Sequence, residues 1–187
     1  LDANNPEHAR DRALILIGFA GAFRRSELVS LDLADFVTVP DGLRVALHRS
    51  NTDQAGEGAE VGLTYGSKPS TCPVRAWIAW RSHLLDQGHT GGPAFRAVSR
   101  SGKIAAGRMA ATTVRNIIRR RAEGVVEDPE SFSAHSLRSG MATQAAKNGA
   151  NDREIMRQGR WSSRTTLDRY VRAGRLFEDN VREKLGP

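Results

Sequence analysis

The chain has 187 residues, 39% of them hydrophobic, which suits one domain of ordinary size with a single core and leaves too little for a second. Its 28 basic side chains outnumber 21 acidic ones, and the excess is local: residues 1–95 hold 9 Lys+Arg and 11 Asp+Glu, whereas residues 96–175 hold 17 and 7, a concentration suited to meeting a polyanion. No run approaches the roughly 18–20 apolar residues of a bilayer span, no leader of basic then apolar residues opens the chain, and Cys72 is alone, which excludes an intrachain disulfide scaffold and a CxxC zinc site and fits a soluble, cytoplasmic protein.

Leu1 stands where an initiator Met is missing and lies close to a helix start, which points to a piece of a longer protein. Asn5-Pro6 reads as an N-cap and first helical position for a helix through ALILIGFAGAF, buried on most faces. A short second helix through SELVSLDL follows. The period then changes to two: Val37 and Val39, an Asp41-Gly42 turn, and Leu43, Val45 and Leu47 predict a hairpin, with a third strand around Val61 and Leu63 beyond the polar segment NTDQAGEGAE. Cys72-Pro73 opens a helix through VRAWIAWRSHLL that ends at Gly88, and Trp77 and Trp80 fall on its core face. A short β excursion is expected within Phe95–Ile104. The rest is helical: TTVRNIIRRRAEG, then AHSLRSGMATQAAKNG closing at Gly149, then a helix capped by Asn151 with Glu154 in capping-box spacing, then RTTLDRYVR and FEDNVREKL. The expected fold is therefore α+β, mainly helical, with a small three-stranded antiparallel sheet in the N-terminal third.

Three segments carry chemistry. His135 and Arg138 stand three apart on a predicted helix and project from one face, while Leu137, Met141 and Ala145 supply the apolar face. Alone, such a pair reads as a solvated helix surface. Trp161 lies nine residues before Tyr170, which sits among Arg164, Arg169, Arg172 and Arg175; a helical tyrosine is ordinarily core or interface filler. Arg24 and Arg25 precede Ser26-Glu27-Leu28 at a helix junction, where a cap and a surface ion pair are the plain reading.

Together these segments resemble the catalytic domain of the tyrosine recombinase, or phage integrase, family in order, spacing and local sequence, from about Ala13 to Leu185. In that family a Gly-x-Arg-x-Ser-Glu-Leu turn carries the first catalytic arginine, which falls on Arg24, with Arg25 at the variable position. The His-x-x-Arg motif falls on His135 and Arg138. A His-or-Trp position nine before the nucleophile falls on Trp161, and the nucleophilic tyrosine on Tyr170. The ending LFEDNVREKLG is similar to the terminal helix of a bacterial and phage subgroup, a segment that members exchange between neighbours.

The resemblance implies site-specific DNA recombination or integration by strand cleavage and rejoining through a 3′-phosphotyrosine, with double-stranded DNA as partner and neither cofactor nor metal. It also implies a separate N-terminal core-binding domain outside this chain, a homo-tetramer on paired sites for the full-length protein, and a monomer for the domain alone. The residue types suit that chemistry. A phenolate conserves the phosphodiester bond energy, two guanidinium forks match the nonbridging oxygens, histidine titrates near neutrality, and an indole N–H donates a hydrogen bond.

One position departs. Where the family carries lysine in a phrase like Ser-Lys-Thr-Asp-Gln, to protonate the leaving 5′ oxygen, this chain reads Ser50-Asn51-Thr52-Asp53-Gln54. Asparagine delivers no proton, and general-acid assistance is worth about 10²–10⁴ in rate. Cleavage is therefore expected to be slow unless another group, such as Lys68, reaches the site. A catalytically impaired DNA-binding relative, a type IB topoisomerase-like activity and a generic RNA or partner surface remain as rival readings. His8, His48, His83 and His89 lack ligand spacing, GEG at 56–58 and GG at 91–92 are loop glycines, and Ser136 lies in no nucleophile elbow.

Overall fold

A computed structural model describes residues 1–48 and 58–175. The expected Asn51 segment and the helix over 177–185 lie outside the described residues. The helical elements are α1 (Pro6–Ala20), α2 (Arg25–Ser30), α3 (Pro73–Asp86), α4 (Ala111–Ala122), α5 (Ala134–Lys147), α6 (Asp152–Gly159) and α7 (Arg164–Gly174). The strands β1 (Phe36–Val39), β2 (Gly42–Leu47) and β3 (Ala59–Thr64) form one antiparallel sheet in the order β1-β2-β3. The fold is thus α+β and mainly helical, as the hydrophobic periods imply. Two further strands, β4 (Arg96–Val98) and β5 (Ile104–Arg108), pair as a second small antiparallel sheet and carry the β excursion four residues past Ile104.

Local chemistry sets most of the boundaries. Asn5 caps α1, its side chain accepting the N–H groups of Glu7 and His8, and Asn151 with Glu154 closes a reciprocal box on α6. Other ends differ from the sequence expectation. α1 stops at Ala20 instead of running to Phe23, because Ala22 takes a left-handed φ of 47° and bends the chain. α2 stops at Ser30, and Leu33–Asp35 form a separate 3₁₀ turn. The first hairpin turns at Pro40-Asp41, one residue earlier than expected, since Gly42 already pairs with Val39 and Thr64. Glycine is needed there: φ is 152°, and a Cβ would meet the Leu63 carbonyl oxygen at 2.0 Å.

Two apolar clusters result. The larger joins α1, α3, α4 and the inner face of the three-stranded sheet around Trp77, Trp80, Phe23 and Phe95, all essentially buried. Phe36 stacks on Trp77 at 3.8 Å between centroids, and the Trp80 indole donates to the Ala94 carbonyl at 2.8 Å. The smaller cluster packs α5, α6 and α7 around Met141, Ala142, Ile155, Trp161 and Leu167. Where α7 crosses α5, Gly174 lies so close that a Cβ would sit 2.4 Å from the Thr143 carbonyl oxygen. Asp11, wholly buried on α1, takes Arg10, Arg120 and Arg121 at 2.7–2.9 Å and so pins the last turn of α4 against α1. Among the described residues, no helix is long and apolar enough to cross a membrane.

Candidate active site

The α1–α2 junction, the first turns of α5, and the segment from the end of α6 into α7 meet at one place. The junction supplies Ala22, whose carbonyl accepts from Arg138 Nη1 at 2.6 Å, and Arg24, which caps α2. Arg24 is held twice by Glu27: its backbone N–H donates to Oε2 at 2.7 Å and its Nη1 to Oε1 at 2.6 Å. Arg160, at the end of α6, takes a left-handed φ of 55° and turns back toward the same junction. It donates to Glu27 Oε2 at 2.9 Å and to the Gly21 carbonyl at 3.0 Å, and lies over the Phe23 ring at 5.0 Å. One buried carboxylate therefore joins two arginines that are 136 positions apart in the chain.

α5 contributes from its N-terminal end. Ser133 caps it, accepting the His135 N–H at 3.2 Å, while the Ser133 N–H donates to Ser136 Oγ at 3.0 Å. His135 lies exposed in the first turn, with Nε2 2.7 Å from the Tyr170 hydroxyl oxygen. One turn later Arg138 is buried, 5% exposed, with its guanidinium 4.0 Å from the Trp161 ring centre. Trp161 is itself buried and tilts toward the half-buried Tyr170 at 6.4 Å between centroids. Arg24, His135, Arg138, Trp161 and Tyr170, chosen from sequence, thus lie together. Lys68 instead caps the 3₁₀ turn Pro69–Thr71, whose carbonyls hold Arg12 of α1, and it does not line the site.

In front of these residues opens a cleft of about 240 Å³ lined by Arg24, Arg25, Arg115, Ser133, Ala134, His135 and Arg138. Among the described residues no acidic side chain lines it. The amino end of α5 at Ser133–His135 adds its positive dipole end to the arginine charge, making the cleft suited to an anion. Tyr170 and Trp161 flank the cleft through His135 and Arg138 and do not form its wall. Burial lowers the Arg138 pKa to about 10, and the like charges of Arg24 and Arg160 push in the same direction against Glu27 and Tyr170. Burial works on Glu27 in the opposite sense, but the Arg160 charge and the Arg24 backbone and guanidinium donors outweigh it and hold that carboxyl below its ordinary value.

Glu27, Arg160 and Arg115 were not picked out by sequence. Glu27 read as a cap or a surface ion pair, and only its burial reveals the second arginine on it. Arg160 directly precedes Trp161, and Arg115 begins RNIIRRR on α4; neither local pattern distinguishes a cleft arginine from a solvated one. Among the described residues no group of three His, Cys, Asp or Glu side chains comes close enough to hold a metal ion. Chemically, the arrangement offers a hydroxyl nucleophile in hydrogen-bond contact with an imidazole, beside guanidinium groups able to neutralise a phosphoryl group.

The sequence profile of the phage integrase family matches residues 1–175. An integrase/recombinase XerD homolog from Selenomonas ruminantium is 36% identical over 176 residues, which cover 94% of this chain and 51% of that protein. The chain therefore spans about half the length of that curated relative. A crystal structure of XerA recombinase superposes with a TM-score of 0.66 at 20% identity, covering 99% of this chain and 63% of that one. A Tn1549 transposon integrase solved in complex with circular-intermediate DNA gives a TM-score of 0.53 at 14% identity, over 85% of this chain and 52% of its own. At those identities the two structures speak for the fold alone.

Proposed function

From the chain's place in the phage integrase family, to which it belongs, we propose that it is the catalytic domain of a tyrosine recombinase that cuts and rejoins double-stranded DNA through a 3′-phosphotyrosine. The observation that carries this reading is the 2.7 Å contact between Tyr170 and His135 at the edge of an arginine-lined cleft. Tyr170 is the nucleophile. Its hydroxyl loses a proton as its oxygen bonds to phosphorus, and the bond from phosphorus to the 5′ oxygen breaks, leaving a free 5′ end. His135 Nε2 is placed to hold or accept the phenolic proton. Arg24 and Arg138 face the nonbridging oxygens, where charge gathers in the transition state. Trp161 supports the Arg138 guanidinium from behind.

The leaving 5′ oxygen needs a proton. In the family pattern lysine supplies it from the position where this chain has Asn51, which lies outside the described residues. Cleavage is accordingly slow in this reading. The same departure favours a second one, in which the chain is a DNA-binding relative with impaired chemistry. In either case the half-length match to the XerD homolog supports a separate core-binding domain in the whole protein; tetramers on paired sites, a monomeric catalytic domain and a bacterial cytoplasm are further parts of the proposal, drawn from the family resemblance.

A nicked suicide duplex tests the choice. The enzyme reading expects a covalent protein–DNA adduct that survives denaturing electrophoresis and vanishes in Tyr170→Phe, with DNA binding nearly unchanged. Absence of adduct from a chain that still binds duplex supports the impaired relative. Plasmid relaxation without paired sites would point to topoisomerase-like chemistry instead.

A further inference from the structure

We propose that the cleft seats two backbone phosphates, with Arg25 and Arg115 holding the one adjacent to the phosphate that Arg24 and Arg138 hold. The inference rests on the DNA-cleaving reading above and specifies how far along the strand the site reaches.

The first argument is a charge count. Among the described residues four arginines line the cleft with His135 and the amino end of α5, and no acid lines it. Glu27, behind the wall, is already shared by Arg24 and Arg160. A phosphodiester brings one negative charge, so a single phosphate leaves most of the cleft's positive charge uncompensated, and like charges crowded in one cleft repel unless more anion arrives.

The second argument is how each arginine is used. Arg138 is buried and Arg24 half-buried, and they already spend donors on the Ala22 carbonyl and on Glu27. Arg25 and Arg115 are exposed, and among the described residues neither guanidinium makes a hydrogen bond or an ion pair. Arg115 stands apart on its own helix: Arg119 is bound by Glu130, while Arg120 and Arg121 are bound by Asp11. The Asp11 clamp fixes the end of α4, and α2 packs on α4, so the two free guanidinium groups are presented from a rigid frame. Arg25 comes from the first residue of α2 and Arg115 from the second turn of α4, with Ser133–His135 lining the space they share. That places two unspent forks at the open rim and two half-spent forks at the base, an order that fits successive phosphates of one strand. Such contacts fix register on the duplex and carry no base sequence.

The test measures affinity of the chain for a duplex containing a single neutral methylphosphonate, placed in turn on each side of the scissile phosphate, against the unmodified duplex. On one side the substitution is expected to weaken wild-type binding about tenfold. The double variant Arg25→Ala/Arg115→Ala should lose about the same on unmodified DNA and lose nothing more on the modified duplex. Its salt dependence should fall by about 0.9 in log–log slope, the value for one phosphate contact. Losses that multiply, or indifference to both neighbouring phosphates, overturn the seat; thermal unfolding of the variant checks that the fold is intact. A wild-type chain that binds but forms no Tyr170 adduct refutes the cleavage reading and leaves the seat standing, whereas a chain that binds no duplex refutes both.

Discussion

Replacing Glu27 by glutamine keeps the shape of the side chain and removes its charge from the point where two halves of the site are joined. In the wild type the carboxylate, only 2% exposed, takes Arg24 at 2.6 Å and Arg160 at 2.9 Å as well as the Arg24 backbone N–H. Glutamine still accepts at one oxygen, but its NH₂ group faces a guanidinium, and Arg138 loses a nearby counter-charge. Breaking a buried pair by removing one partner costs about 3–5 kcal/mol. The retained acceptor and the partial exposure of Arg24 place this change lower, at about 2–3 kcal/mol, or a fall in Tm of roughly 5–10 °C for a chain of this size. Urea unfolding followed by tryptophan fluorescence reads it as a lower midpoint with an unchanged slope. The pH dependence is diagnostic. Because the folded-state pKa of Glu27 is depressed, its contribution is fully present above the unfolded value of about 4.3 and fades as pH falls through the folded value. The gap between wild type and variant should therefore be widest near pH 7 and close in acid. A gap below about 0.5 kcal/mol at pH 7, within the range of an ordinary surface change, or one that does not move with pH, refutes the assignment of Glu27 as the electrostatic link.

Three further outcomes follow from the same geometry. Arg138, pushed down to about 10 by burial and by Arg24 and Arg160, gains when an anion enters the cleft. Sulfate at tenfold over its dissociation constant should stabilise the fold by about 1.4 kcal/mol at constant ionic strength, raising Tm by some 3–6 °C in a thermal scan, and Arg138→Gln should lose most of that gain. Trp161→Ala removes the ring beneath Arg138 and should cost about 3–5 kcal/mol by denaturant titration, while Trp161→Phe keeps an aromatic face but loses the indole donor and the volume of the second ring, and should slow adduct formation about tenfold at a smaller cost in stability. Asn51→Lys should raise the rate of covalent trapping on the suicide duplex by about 10²–10⁴, and an unchanged rate would mean that protonation of the leaving oxygen is not what limits this chain.

Periodicity made the elements legible, because each buries one stripe or one face. The presence of a short α2, the alternation in β2 and the Asn151 box on α6 are written in adjacent residues. Boundaries went astray where a single backbone angle decides them. Nothing in GAFRRSEL announces that alanine, not glycine, adopts the left-handed bend at position 22, yet that bend ends α1 and leaves its carbonyl to Arg138. Candidate catalytic residues were legible for a different reason: His135 with Arg138 and Trp161 with Tyr170 are ordinary by type and spacing alone, and only the resemblance to the phage integrase family, read over all the segments together, marks them out. Their supports were not, since Glu27, Arg160 and Asp11 act across separations that leave no periodic trace.

The same distinction explains what net charge reveals about this site. The basic excess of residues 96–175 pointed toward a polyanion as partner, but most of its arginines are committed to holding the protein together. Arg96 donates to carbonyls at 2.5–2.8 Å, Arg119, Arg120 and Arg121 fasten α4, and Arg164 and Arg175 bind Asp152. Meanwhile Arg24 and Arg25 come from the half of the chain that carries an acidic excess. The charge that faces the cleft is set by which guanidinium groups find carboxylates or carbonyls during folding and which are left without them. Among the described residues Arg25 and Arg115 are left without them at the rim, and an electrostatic footprint drawn from composition alone would have weighted them no more than the rest.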